Sequence, residues 1–250
     1  MKSQVIRTLL HSLVICGSLL TGRLPASGAE TTERQGVPIV PALRILPVGD
    51  SITLGMGAPG GYRVGLYTLL TNAGYNVDFV GTLTSNPHPS LPDLNHEGHG
   101  GWRIEQIASI ITTVFATVED PDIILLLLGT NDYGLETDFG TAIVRLEELI
   151  AKMAANRPFA KIIVANLLVR GEPYNSQIQG TFNPFVPGVV ERQAALGRQV
   201  YFTDLRSAVP LSDLPDNLHP NANGYARMAT NWFAAITNLV GPLGATNAPG

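Results

Sequence analysis

Three short segments carry residues whose types and spacing suit covalent chemistry. Gly49-Asp50-Ser51-Ile52-Thr53 directly follows an apolar stretch, so Ser51 stands where a hydroxyl can project over the end of a strand. Gly129-Thr130-Asn131-Asp132 follows the apolar run Ile123 to Leu128, which puts the Asn131 carboxamide at a second strand end. Asp216-Asn217-Leu218-His219-Pro220 places a carboxylate and an imidazole three positions apart before a helical stretch, where they can lie side by side. A serine hydroxyl is a weak nucleophile until a base takes its proton. A carboxylate on one ring nitrogen of histidine holds the tautomer whose other nitrogen can be that base. A side-chain amide at a strand end can donate to a developing oxyanion. Each segment alone has a plain structural reading: Ser caps helices, Asn-Asp forms turns, and Asp can cap a helix beside a half-buried His. Together, in chain order Ser, Asp, His, they point to acyl transfer with Ser51 as nucleophile, His219 as base and Asp216 orienting it.

That reading needs elements that bring three distant loops to one edge. From Leu43 onward the sequence alternates strand-like and helix-like stretches. Strands are expected over 44–48, 75–80, 123–128, 161–169 and 200–203. Helices are expected over 61–73, 102–117, 138–156, 182–197 and 221–240. Ile104, Ile107, Ile110, Ile111 and Val114 recur at helical spacing, as do Ile143, Leu146, Leu149, Ile150 and Met153. Six apolar residues in a row over 123–128 signal a strand buried on both faces, as in parallel sheets. The alternation predicts an α/β fold, a five-stranded parallel sheet with helices on both faces. In such sheets ligands bind beyond the carboxyl ends of the strands, where all three segments fall.

Gly49-Asp50-Ser51, Gly129-Thr130-Asn131-Asp132 and Asp216-x-x-His219 resemble three of the four blocks of the SGNH (GDSL) hydrolase superfamily, and the resemblance runs from about Arg44 to about Ile236. It implies a three-layer α/β/α sandwich of flavodoxin-like type. The fourth block is a glycine in the second loop, here Gly101 within His96-Glu97-Gly98-His99-Gly100-Gly101-Trp102. Gly100 stands where many relatives carry Ser, so either glycine is a candidate oxyanion donor. Gly101 is favoured because it immediately precedes the helix expected from Trp102. The resemblance then implies an oxyanion hole made by the N–H of Ser51, the N–H of Gly101 and the side-chain amide of Asn131.

More narrowly, the sequence resembles carbohydrate esterase family 3, the secreted acetylxylan esterases. The similar stretches are Leu46 to Thr53, Gly61-Tyr62-Arg63, Phe79-Val80-Gly81, His96 to Trp102, and His219-Pro220-Asn221 with Gly224-Tyr225. This implies a serine esterase that removes acetyl groups from plant polysaccharide such as xylan, with no cofactor. A lipase, lysophospholipase or thioesterase of the same superfamily is the alternative, as is a non-catalytic carbohydrate-binding protein. Loops rich in Gly, Pro, Asn and His favour a short acyl group on a polar alcohol. Trp102 either stacks on a sugar ring or packs at a helix start. Tyr62 is expected to touch substrate, and Arg63 to line the cleft or to lie along the first helix. His96, Glu97 and His99 lack the spacing of a structural zinc site, so no metal is expected and they are read as shaping the cleft.

The amino end reads as a secretory signal peptide over residues 1–29. Lys2 and Arg7 precede an apolar stretch from Leu9 to Leu20, and Ser27 and Ala29 fit a small-x-small cleavage pattern. The apolar run is short for a spanning helix, which needs about 20 such residues, so no stable membrane anchor is expected. Ile15 before Cys16 does not suit a lipoprotein signal. Cleavage would remove Cys16, the one cysteine, and leave a chain stabilised by its core alone. It would also remove Lys2, Arg7 and Arg23 and no acid, moving the formal charge from −4 to −7. No basic block remains, which argues against nucleic acid or an anionic membrane surface as partner. Residues 30–42 form a polar lead, 43–240 one hydrolase domain acting as a monomer outside the cell, and 241–250 a disordered tail.

Overall fold

The computed structural model describes residues 41–133 and 139–241. The expected signal peptide, most of the lead and the tail beyond 241 lie outside the described residues. The backbone of the fold is a parallel sheet built from β1 (Leu43–Gly49), β2 (Val77–Phe79), β4 (Ile123–Leu127), β5 (Lys161–Ala165) and β6 (Val200–Thr203), in the order β2-β1-β4-β5-β6. β4 is central, and all five of its residues, Ile-Ile-Leu-Leu-Leu, are fully buried. Ile45 pairs with Ile123 and Gly49 with Leu127, so β1 and β4 end level with each other. Ser51 and Asn131 therefore emerge at the same edge.

A sixth, two-residue strand, β3 (Glu97–Gly98), was not expected. β2 pairs with the first half of β1, and the chain then leaves the sheet. It returns as β3 to pair Glu97 with Val48 and Gly98 with Gly49. β3 thus occupies the place where β2 would have continued, and it delivers the 99–101 turn beside the loop after β1. Gly98 is required for this approach: a Cβ there would stand 2.3 Å from the backbone N of Leu54.

The helices cover both faces. α2 (Tyr62–Asn72) packs on α7 (Ala222–Val240), while α3 (Ile104–Thr117) packs on α4 (Ala142–Asn156) and α4 on α6 (Val186–Ala195). α3 buries Ile104, Ile107, Ile111 and Val114 of its expected stripe, together with Phe115, and α4 buries Leu146, Leu149, Ile150 and Met153, while Ile110 and Ile143 are half-buried at the margins. No helix among the described residues is long and apolar enough to cross a membrane.

Several boundaries differ from expectation for physical reasons. Tyr75 is not yet strand, because its N–H still bonds the Leu70 carbonyl at the end of α2. β5 stops at Ala165 although Leu167, Leu168 and Val169 stay buried. The Asn183 side chain both accepts from the Leu167 N–H and donates to the Leu167 carbonyl, each at 2.8 Å. A carboxamide there takes the place of a neighbouring strand. The stretch between the strand expected to 169 and the helix expected from 182 contains α5 (Tyr174–Thr181), whose one buried residue, Ile178, gives no periodic signal. Pro184 and Pro187 delay α6 to Val186.

Candidate active site

Ser51 is placed by the shortest helix. β1 ends at Gly49, and the Asp50 side chain accepts the Ile52 N–H at 2.9 Å, capping the single turn α1 (Ser51–Leu54). As the first residue of that turn, Ser51 has a backbone N–H with no intrahelical acceptor. Asp50 itself is fully buried, and burial pushes its carboxyl up to about 6 against the opposing pull of the Ile52 N–H and the Thr130 hydroxyl.

His219 reaches the same point from the far end of the chain. Asp216 Oδ1 accepts the N–H groups of Leu218 and His219, at 3.0 and 2.6 Å, which folds the 216–219 segment around the carboxylate. Asp216 Oδ2 lies 2.7 Å from His219 Nδ1. That contact fixes a hydrogen on Nδ1 and leaves Nε2 as an acceptor, 2.9 Å from Ser51 Oγ. The three residues form a continuous relay of hydrogen bonds across 168 positions of sequence. Burial raises the Asp216 carboxyl, but the N–H of His219, the His219 ring and the Leu218 N–H together hold it below the usual carboxylate range.

Asn131 sits in a single 3-10 turn, Thr130–Asp132, immediately after β4. Its Nδ2 donates to the Trp102 carbonyl at 2.8 Å, which uses one of the two amide hydrogens and leaves the second for a ligand. Asp132, fully buried, accepts the Ile104 N–H at 3.2 Å and so ties this turn to the start of α3.

The 99–101 turn presents two further donors. The N–H groups of Gly100 and Gly101 meet no acceptor among the described residues. Gly101 has φ +78°, and a Cβ on Gly100 would meet only Leu54 Cδ2, at 3.5 Å. Space alone therefore permits a side chain such as Ser at Gly100, while the backbone conformation demands glycine at 101. Trp102 is half-buried and its ring stacks on His99, with centroids 4.1 Å apart.

Two expected substrate contacts are corrected. Tyr62 is fully buried, with its ring 6.0 Å from that of Trp232 between α2 and α7, so it offers no surface to a ligand. Arg63 is also fully buried and donates to the carbonyls of Leu94 and Leu54, bracing the loop before β3 against α1. His96 does not shape a cleft either. It is fully buried, its Nδ1 accepts the Gly98 N–H at 2.9 Å, and burial and the Arg63 charge push its ring down to about 4. An interaction not foreseen is the Glu97–His99 pair, 2.8 Å apart. Of the three residues expected to shape the cleft, Glu97 is buried as well and instead organises the His99 ring.

The sequence model of the GDSL-like lipase/acylhydrolase family matches residues 48–227, which spans all of these loops. The chain belongs to this family. It is 38% identical to a Clostridium thermocellum family 3 carbohydrate esterase, with a TM-score of 0.69 over 78% of this chain and 94% of that one. It is also similar to an acetyl esterase mutant crystallised with acetate ion, at 26% identity and TM-score 0.67, covering 79% and 97% of the two chains. A multidomain esterase of Ruminococcus flavefaciens is 31% identical over 220 residues, 78% of this chain. The chain spans 28% of the length of that relative and 63% of a second curated relative.

Proposed function

We propose that the protein is a serine esterase that removes acetyl groups from plant polysaccharide such as xylan. The observation that carries this reading is the relay Ser51 Oγ to His219 Nε2 at 2.9 Å and His219 Nδ1 to Asp216 Oδ2 at 2.7 Å. His219 takes the Ser51 proton as Oγ attacks the ester carbonyl, and the carbonyl oxygen becomes an oxyanion. The N–H of Ser51, the N–H of Gly101 and the free amide hydrogen of Asn131 stabilise that oxygen. Collapse of the adduct breaks the bond to the sugar oxygen, which receives the proton from His219. The acetyl group remains on Ser51. His219 then deprotonates a water, whose attack releases acetate and restores the serine. Asp216 orients the ring and stabilises its charged form throughout.

Likeness to a family 3 carbohydrate esterase and to an acetyl esterase supports the acetyl and carbohydrate parts of the reading. The leader pattern over residues 1–29 supports a place outside the cell, where such polymers are met. The test is acetate release from a panel of acetylated xylans, mannans and pectins, with aryl acetate and aryl octanoate beside them. Release from acetylated xylan, lost in Ser51→Ala, is the expected result. Turnover of long-chain esters alone would replace the carbohydrate assignment with a lipolytic one. Undiminished activity in Ser51→Ala would sink the mechanism.

A further inference from the structure

Glu97 is 1% exposed, and an ionised carboxylate at that depth is costly unless donors surround it. It has them: Oε1 accepts the Thr82 N–H, and Oε2 faces His99 Nε2 at 2.8 Å. Burial alone would raise this carboxyl, but the His99 and Thr82 donors hold it below its ordinary range. His99 passes the constraint outward. Its ring lies face to face with Trp102, 4.1 Å between centroids and 24° between planes. Its N–H donates to the Gly49 carbonyl at 2.9 Å, and its carbonyl accepts the Trp102 N–H at 3.1 Å, closing the turn that holds Gly100 and Gly101. The Trp102 carbonyl is in turn the acceptor that fixes the Asn131 carboxamide.

Every bond that leaves this pair toward the site therefore ends on an atom beside an oxyanion donor. Gly49 lies two residues before Ser51, the turn carries Gly100 and Gly101, and Trp102 anchors Asn131. We propose that Glu97 and His99 are positioning residues of the oxyanion site: the carboxylate sets the imidazole, the imidazole sets Trp102, and Trp102 sets the glycine turn and the Asn131 amide against Ser51. The inference rests on the esterase reading above and adds to it a device that registers three donors from three loops through one side-chain stack. Glu97 is too deeply buried to touch the substrate.

The experiment measures kcat and KM on an aryl acetate for the full chain carrying His99→Ala, Glu97→Gln, Trp102→Phe or Trp102→Ala. Thermal unfolding checks that each is folded. His99→Ala should lower kcat about 10- to 10²-fold through misplaced donors, leaving KM within about twofold. Trp102→Phe keeps a ring face for the stack and should stay near wild type, whereas Trp102→Ala should follow His99→Ala. Asn131→Ala alone should cost about 10²–10³ in kcat. Adding His99→Ala to it should cost clearly less than His99→Ala does in wild type, because one donor it places is already gone. An unchanged kcat in folded His99→Ala, or its full cost repeated in the Asn131→Ala background, overturns the inference. Should His99→Ala not fold, Glu97→Gln carries the same comparison, since it keeps the side-chain shape and removes the charge. Wild type that neither hydrolyses an ester nor takes a phosphonate at Ser51 would instead overturn the esterase reading, and this inference with it.

Discussion

The Arg145 guanidinium reaches the fully buried Asp132 carboxylate at 2.8 Å, so an ion pair from α4 fixes the residue that follows Asn131. Asp132 also receives the Ile104 N–H, which makes it the junction of the Asn131 turn, α3 and α4. Removing the cation would take a charged partner from a buried carboxylate. Arg145→Met should therefore destabilise the fold by about 2–3 kcal/mol, read as a lower denaturant midpoint. A midpoint equal to that of wild type would show that the pair holds nothing.

Asp50 predicts an unusual dependence of stability on pH. Its folded value of about 6 stands above the ordinary 3.8, so the fold prefers its neutral form. The stabilisation is complete below about 4 and is lost as pH rises through 6. Asp50→Asn keeps an acceptor for the Ile52 N–H and stays neutral throughout. The stability of the variant relative to wild type should widen in its favour by about 2 kcal/mol between pH 4 and pH 7. Parallel curves in urea titrations across that range would contradict the burial argument.

Asp216 is the most exposed member of the relay, with 54% of its side chain accessible. Solvent can replace part of what it does for the His219 ring. Asp216→Asn should lower kcat by about 10², short of the roughly 10⁴ known for a buried orienting aspartate. A loss as large as the latter, measured on an aryl acetate, would mean that water gives no help.

The two glycines of the 99–101 turn should separate cleanly. Gly100→Ser has room and no positive φ to violate, so folding should be unaffected. Gly101→Ala forces a Cβ into a left-handed conformation and should cost about 1–2 kcal/mol in stability, with a fall in kcat as the N–H shifts. Equal tolerance at both positions, by thermal unfolding and turnover together, would remove the special place given to Gly101.

The fold was legible wherever burial imposes a period. Ile123 to Leu127 can only be a strand covered on both faces, and α4 shows its buried stripe in the spacing of Leu146, Leu149, Ile150 and Met153. The convergence of Ser51, Asn131 and His219 on one edge was legible because they interrupt or follow such runs at the points where a parallel sheet releases its chain. What stayed hidden depends on side chains standing in for backbone. Asn183 serves as a strand neighbour to Leu167, and nothing local marks it for that task. β3 is two residues long and owes its place to the chain returning to β1. Tyr62 carries a polar tip that suits a cleft as well as a core, and only the packing of α2 on α7 decides between them.

The distance in sequence between Ser51 and His219 has a consequence for how the protein is made. Ser51 leaves the ribosome early and His219 late, with β4, β5 and β6 still to be laid down between them. Chains grow from the amino end, and long-range pairings form only after both partners exist. The nascent polypeptide therefore carries an inert hydroxyl throughout most of its synthesis. The hydrogen-bond relay is completed in one step, with the final loop and α7. A message cut short before that loop would yield Ser51 without the imidazole it meets and α2 without the helix it packs on.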